Sequence, residues 1–140
     1  LNNRLMHDIL GEVSLAAKPR EHRLLLAEDD YANAEFVKIV FRKANINVIH
    51  AHNGAEAVQM FRDGNNLDMV LMDIKMPVMD GYSATKEIRK INKDIPVIAL
   101  TAFALDGDRE KAFEAGCNEY ITKPVDRERL LKIVSNYLDK

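Results

Sequence analysis

The sequence predicts an α/β protein with a doubly wound, parallel five-stranded sheet covered by helices on both faces. Short apolar runs alternate five times with stretches whose apolar residues recur at helical spacing. The chain has 140 residues, of which 47% are hydrophobic, which suits one domain with its own core. Parallel strands need crossover connections, and right-handed crossovers place helices against both faces of the sheet. We therefore expect three layers.

The first three strand–helix units follow one another closely along the chain. The first strand is the compact apolar run Arg23–Ala27, and the helix after it shows one apolar stripe made of Val37, Val40, Phe41 and Ala44. The next two units repeat the pattern, with strands at Val48–Ala51 and Met69–Met72 and helices at Gly54–Arg62 and Ser83–Ile91.

The last two units differ in how apolar their helices are. The strand Val97–Leu100 precedes a helix at Asp108–Ala115 that has few apolar residues. The strand Glu119–Thr122 precedes a strongly amphipathic helix, with a stripe of Leu130, Ile133, Val134, Tyr137 and Leu138. We therefore expect the fourth of these helices to have the least apolar surface against the sheet.

The start of the chain lies outside this pattern, and we divide the sequence into residues 1–22 and a domain at residues 23–140. Met6–Ala17 has near-helical apolar spacing that ends at Lys18-Pro19-Arg20, which predicts a short helix and a polar linker, either native or derived from a vector. Because the chain begins with Leu1, we expect a fragment. His7-Asp8 is not interpreted as a kinase phosphoacceptor site, since about twenty residues are too few for the helical hairpin that a kinase dimerisation domain needs.

Charge and composition exclude several partners. Twenty basic and 22 acidic residues leave a net charge of −2, without the basic excess that nucleic acid or anionic lipid would need. A lone cysteine, Cys117, forms no disulfide within the chain, and the sequence has no apolar run of about 20 residues and no signal peptide. We expect a cytoplasmic protein that contacts neither nucleic acid nor membrane.

Polar residues follow four of the expected strands at the point where each ends. They are Glu28, Asp29 and Asp30 after the first strand, Asp73 after the third, Thr101 after the fourth and Lys123 after the fifth. In a sheet of order 2-1-3-4-5 these strand ends are neighbours, at the edge where such folds bind ligands. Clustered carboxylates repel one another unless a cation lies among them, and an oxygen-only set favours Mg²⁺ with room for a phosphate oxygen. Asp30 is expected to cap the following helix.

Four sequence blocks resemble the receiver domain of two-component response regulators, from about Arg23 to Leu138. The blocks are LLLAEDD (Leu24–Asp30), VLMDIKMPVMDG (Val70–Gly81), IALTA (Ile98–Ala102) and YITKP (Tyr120–Pro124). The residues in these blocks are most similar to those of receivers of hybrid sensor histidine kinases, although such receivers often carry Asn where this chain has Asp30. The resemblance implies a flavodoxin-like (βα)5 fold.

The resemblance also implies a role for each site residue. Asp73 is the expected phosphoacceptor, and Lys123 and Thr101 are expected to contact the phosphoryl group. The implied Mg²⁺ ligands are Asp29, Asp73, the backbone carbonyl of Lys75 and, through water, Glu28. Thr101 and Tyr120 are the implied switch residues, which alter the surface of the fourth helix, fifth strand and fifth helix. Pro124 is expected to hold the loop of Lys123 in shape.

The expected function is phosphoryl uptake from a phosphohistidine, followed by slow autodephosphorylation without conventional enzymatic turnover. The implied partners are a histidine kinase phosphoacceptor domain or a histidine phosphotransfer protein, and the sequence leaves dimerisation open. Because the chain ends soon after its last apolar residue, we expect it to carry no output domain and to act through partners. Two alternatives are an interaction module that no longer uses phosphate, and a magnesium-dependent phosphohydrolase with an aspartyl nucleophile. The phosphohydrolase pattern places a second Asp where this chain has Lys75.

Overall fold

The computed structural model describes residues 21–102 and 105–139, and within these ranges it contains the five strands and five helices that the sequence predicts. In chain order the elements are β1 His22–Ala27, α1 Tyr31–Arg42, β2 Ile46–Ala51, α2 Gly54–Arg62, β3 Met69–Asp73, α3 Gly81–Ile91, β4 Val97–Thr101, α4 Asp108–Ala115, β5 Glu119–Thr122 and α5 Arg127–Leu138. The helix expected at Met6–Ala17 lies outside the described residues.

The strands form one parallel sheet in the order β2-β1-β3-β4-β5, which confirms the predicted topology. The register aligns the carboxyl ends of the strands, since Ala27 is paired with Met72, Asp73 with Leu100, and Thr101 with Thr122. The chain reverses its direction of strand addition between β1 and β3, which is the position where open α/β sheets bind ligands.

Each face of the sheet has its own apolar core, so the three-layer prediction is confirmed. Helices α1 and α5 cover one face, where Phe41 and Val134 are buried against sheet residues such as Leu26 and Leu71. Helices α2, α3 and α4 cover the other face, where the core contains small and medium side chains that include Ala57, Val58, Ala84, Ile88 and Ala112.

Most element boundaries match the predictions, and the others differ by one or two residues. The strand β2 begins at Ile46 rather than Val48, since it is an edge strand in which Asn47 is exposed while Ile46 is buried. The helix α3 begins at Gly81 rather than Ser83 because the carboxylate of Asp80 accepts a hydrogen bond from the backbone N–H of Ser83 at 2.8 Å.

The helix α4 buries the least apolar surface of the five, as its sequence indicated. Its only buried apolar residues are Ala112 and Ala115, both in its second half, whereas α1 buries Ala34, Val37, Val40 and Phe41. The first residue of α4, Asp108, is buried as a polar group, and Gly107 before it has φ 86°. The amino-terminal half of α4 is therefore held by polar contacts instead of by the core.

Candidate functional site

Three carboxylates meet at the carboxyl edge of the sheet, where the strand order reverses. Glu28, Asp29 and Asp73 each offer an oxygen atom, and these atoms all lie within 4.8 Å of one another. Asp73 is the last residue of β3, and Glu28 follows β1, where its backbone N–H donates to the carbonyl of Ala51 at 3.0 Å. The sheet therefore brings together three acids that the sequence placed at the ends of two strands.

Burial and mutual repulsion raise the energy of the ionised site. Glu28 is 2% exposed and Asp73 is 5% exposed, while Asp29 lies at the surface. Loss of hydration, followed by repulsion from Glu28, raises the pKa of Asp73 to about 7, although the nearby Lys123 ammonium opposes the shift. A site of hard oxygen ligands with an excess of negative charge fits a divalent cation such as Mg²⁺.

The side chain of Lys123 connects two of these carboxylates. Its Nζ atom lies 2.6 Å from Oε1 of Glu28 and 3.6 Å from Oδ1 of Asp73. The contact with Glu28 is the shorter of the two. Glu28 is almost wholly buried, so the ammonium takes the place of the water that this carboxylate has lost. The backbone of Lys123 is also fixed, since its N–H donates to the carbonyl of Thr101 at 2.7 Å.

The other predicted site residues lie at the end of β4, in the loop after β3 and within β5. Thr101 is buried at the end of β4, and Lys75 is exposed in the loop after β3, where it lines the same recess as Asp29. Tyr120 lies within β5 and packs against the core under α2, α3 and α4. Its buried hydroxyl has no hydrogen-bond partner within the described part of the chain. The peptide bond between Lys123 and Pro124 is cis.

Two polar residues near the cluster have structural contacts. Asp30 caps α1, as predicted, because its side chain accepts a hydrogen bond from the N–H of Asn33 at 3.0 Å. The Nε2 atom of His50 lies 2.8 Å from the backbone carbonyl of Glu28. Sequence reasoning missed this support for the Glu28 loop, although the in-register pairing of β1 with β2 places His50 beside Leu26.

The loop between β3 and α3 is held closely against the site by two glycines. The N–H of Gly81 donates to the carbonyl of Ile74 at 2.8 Å, and a Cβ atom at Gly81 would lie 2.4 Å from the carbonyl oxygen of Asp73. The N–H of Gly54 donates to the carbonyl of Met79 at 3.1 Å. The absence of a side chain at these positions lets the loop pass directly behind the residue that closes β3.

No helix among the described residues has both the length and the apolar character needed to cross a bilayer.

Comparisons with known proteins agree with this geometry. Residues 24–135 match the family model of the response regulator receiver domain. Hybrid signal transduction histidine kinase M of Dictyostelium discoideum is 40% identical over 117 residues, which cover 79% of this chain and 5% of that kinase.

Two solved structures are similar in fold and sequence. The receiver domain of sensor histidine kinase PA1611 from Pseudomonas aeruginosa, with a magnesium ion coordinated in its active-site cleft, has a TM-score of 0.79 and 37% identity, covering 86% of this chain and 100% of that one. The receiver domain of Ssk1 from Saccharomyces cerevisiae, in complex with the histidine phosphotransfer protein Ypd1, has a TM-score of 0.77 and 32% identity, covering 84% of this chain and 90% of the matched one.

Proposed function

Since this chain belongs to the family of response regulator receiver domains of two-component and phosphorelay signalling, we propose that Asp73 accepts a phosphoryl group from a phosphohistidine. The observation that carries the proposal is the convergence of the Glu28, Asp29 and Asp73 carboxylates with the ammonium of Lys123 at one edge of the sheet. An acidic site that also presents a cation suits the binding of a phosphoryl group beside a metal ion.

In the proposed step, a carboxylate oxygen of Asp73 forms a bond to phosphorus while the bond between phosphorus and the histidine nitrogen breaks. The product is an aspartyl phosphate, and the electron pair of the broken bond stays with the imidazole. When bound, Mg²⁺ would supply electrostatic stabilisation of the charge on the transferred group. Asp29, Asp73 and the backbone carbonyl of Lys75 would hold this ion, with Glu28 acting through water. The magnesium ion in the cleft of the PA1611 receiver domain supports this assignment.

Two further side chains would stabilise the phosphorylated state. Lys123 would transfer part of its contact from the carboxylates to a phosphoryl oxygen, since its ammonium already lies 3.6 Å from Asp73. Thr101 would donate its hydroxyl to another phosphoryl oxygen once that group is present. Thr101 closes β4, which lies next to β3, and Lys123 follows β5, which lies next to β4. Because both side chains are already at this end of the sheet, neither contact requires the strands to move.

We propose that movement of Thr101 leaves space into which Tyr120 turns, and that the surface of α4, β5 and α5 changes as a result. The buried, unpaired hydroxyl of Tyr120 supports this assignment, because it would gain a partner by moving. The weak apolar attachment of α4 supports it also, since a helix with two buried alanines can shift at low cost.

The proposed donor is the phosphoacceptor domain of a histidine kinase or a histidine phosphotransfer protein. The complex of the Ssk1 receiver with Ypd1 supports the second kind of partner. The chain spans only 5% of the Dictyostelium kinase. We propose that it belongs to a hybrid kinase and lies in the cytoplasm, or in the cytoplasmic part of such a kinase. We propose phosphoryl uptake and slow autodephosphorylation as the only chemistry.

Acetyl phosphate with Mg²⁺, followed by intact-mass measurement, tests the proposal directly. We expect the wild-type chain to gain the mass of one phosphoryl group, and Asp73→Asn to gain none because the attacking carboxylate is absent. Asp30→Asn is the matched control, since Asp30 follows the same strand end as Asp29 but caps α1, and it should be labelled like the wild type.

An undiminished gain of mass in Asp73→Asn would contradict the assigned phosphoacceptor. If no variant and no wild-type protein gained mass, an interaction module independent of phosphate would replace the proposed function. Sustained turnover of a phosphomonoester would instead indicate a phosphohydrolase.

A further inference from the structure

One peptide unit joins two of the three clustered carboxylates. Its carbonyl belongs to Glu28 and its N–H belongs to Asp29. Because a peptide unit is planar, a contact that fixes its oxygen atom also fixes the plane from which the backbone of Asp29 continues. Asp29 is exposed, so the position of its carboxylate depends on this backbone. The orientation of this peptide unit therefore governs how Glu28 and Asp29 are presented beside Asp73.

The strand β2 holds the backbone of Glu28 at two points. The N–H of Glu28 donates to the carbonyl of Ala51 at 3.0 Å, which continues the pairing of Ala27 with Ala51 by one residue. The Nε2 atom of His50 lies 2.8 Å from the carbonyl oxygen of Glu28. A carbonyl oxygen accepts hydrogen bonds and cannot donate one, so Nε2 must carry the hydrogen. His50 therefore donates to the peptide unit that carries Asp29.

The imidazole of His50 is itself held in place. His50 is partly buried in β2, where it is paired with Leu26 of β1. Its ring centroid lies 4.2 Å from that of His52. His52 is bound in turn to the first turn of α2, since its backbone N–H donates to Oε1 of Glu56 at 3.1 Å and its Nδ1 lies 3.1 Å from the same oxygen. A donor whose ring is supported in this way can orient a neighbouring group with little further loss of conformational freedom.

We propose that His50 is a positioning residue for Mg²⁺, which orients Glu28 and Asp29 through the carbonyl of Glu28 without touching the ion. This inference rests on the magnesium site of the proposed function. Without the donor, the peptide unit is free to rotate, and binding of the ion must also order the two carboxylates. Groups that orient the ligands of a metal in this way typically change its affinity by about 10- to 100-fold.

The experiment is an NMR titration of the unphosphorylated, ¹⁵N-labelled chain with MgCl₂. His50→Phe keeps a ring beside His52 but removes the donor, and we expect the Kd for Mg²⁺ to rise by about tenfold. His50→Gln places an amide N–H near the position of Nε2 and should keep the Kd within about threefold of the wild type. His52→Phe is the matched control, since it makes the same change at the neighbouring ring, and it should also stay within about threefold.

A second readout needs no metal ion. The amide nitrogen of Asp29 belongs to the peptide unit that His50 binds, so its chemical shift should move in His50→Phe and stay near the wild-type value in His50→Gln and His52→Phe. A general loss of structure would instead move many amides and lower the thermal midpoint. His50→Leu also lacks a donor and should weaken Mg²⁺ binding as His50→Phe does, so the result does not depend on how the phenyl ring packs.

The outcomes separate this inference from the proposed function. Any positive charge on the imidazole would repel Mg²⁺, so tighter binding in His50→Phe would indicate an effect of charge and overturn the positioning role. An unchanged Kd in His50→Phe and His50→Leu, or equal weakening in His50→Gln, would overturn it as well. A wild-type chain that binds no Mg²⁺ would overturn the magnesium site of the proposed function together with this inference.

Discussion

The amino edge of the sheet, where the strands begin, and the carboxyl edge, where they end, pair their polar groups differently. At the amino edge, before β4 and β5, the guanidinium of Arg89 donates to the carbonyls of Gly116 at 2.9 Å and Ile95 at 2.7 Å, and to Oδ1 of Asn118 at 2.8 Å. The same Oδ1 accepts from the N–H of Val97. At the carboxyl edge, two buried carboxylates share one ammonium. At the amino edge these polar groups are hydrogen-bonded to one another, whereas at the carboxyl edge two carboxylates compete for a single ammonium.

The difference shows where this fold is stabilised and where it is reactive. The hydrogen bonds of Arg89 join the end of α3 to the loops before β4 and β5, so they hold the sheet together without facing the acidic cluster. The raised pKa of Asp73 and the positive φ of Val78 both reduce stability, and both lie at the reactive edge. Arg89→Ala at the amino edge should therefore lower stability and leave phosphoryl uptake unchanged, whereas Asp73→Asn at the carboxyl edge should raise stability and remove uptake.

The largest expected effect is at the amino edge. Arg89→Ala should lower the free energy of unfolding by about 2 to 4 kcal/mol, because several backbone carbonyls lose a charged donor at once. Urea denaturation measures this loss, and acetyl phosphate uptake by the folded protein should be unchanged. Lys90→Ala, at the exposed neighbouring position, is the control and should change stability by less than about 1 kcal/mol. A loss of uptake in folded Arg89→Ala would show that the two edges are not independent.

A stability gain is expected at the carboxyl edge. Because the pKa of Asp73 is raised in the folded protein, the wild type loses stability as the pH rises from about 4 to about 7, where the unfolded chain releases this proton more readily. Asp73→Asn removes the penalty and should be more stable by about 1 to 3 kcal/mol at pH 8 without Mg²⁺, with little difference near pH 4. Denaturation at both pH values measures the gain. Added Mg²⁺ should reduce the stability difference between Asp73→Asn and the wild type. If Asp73→Asn were less stable than the wild type at pH 8, the comparison between the two edges would be wrong.

The smallest expected effect is a difference in hydrogen exchange between the two halves of α4. Its second half is held by Ala112, Ala115 and the contact of Gly116 with Arg89, whereas its first half has no buried apolar residue. With beryllofluoride and Mg²⁺, we expect hydrogen exchange of residues 106–110 to change by about tenfold and that of residues 113–118 by less than about twofold. Mass spectrometry of peptides from the two halves tests this. Equal changes in both halves would indicate a shift of the whole helix.

The sequence was sufficient to predict the fold and the set of acids at the site. Strand ends are local features, because an apolar run that stops at a charged residue predicts both the strand and the position of that residue at its edge. The strand order is then enough to bring Glu28, Asp29 and Asp73 together. The structure confirms that order, and the three carboxylates lie close to one another.

Features that depend on distances between remote segments were not predictable in this way. The ammonium of Lys123 lies closer to Glu28 than to Asp73, and 95 residues separate Lys123 from Glu28. The hydrogen bonds of Arg89 reach two loops, before β4 and before β5, that no local pattern connects. The positive φ of Val78 was also missed, because valine favours extended backbone and gives no local signal for this turn.

The position of Lys123 has a consequence for the coupling between the acidic cluster and β5. Its ammonium is bound to the carboxylate that would react, and its backbone lies three residues from Tyr120 along the chain. A phosphoryl group that draws this ammonium away from Glu28 would pull on the end of β5, since Thr122 closes that strand directly before Lys123. That pull would reach Tyr120, three residues before Lys123, through the backbone of β5 itself.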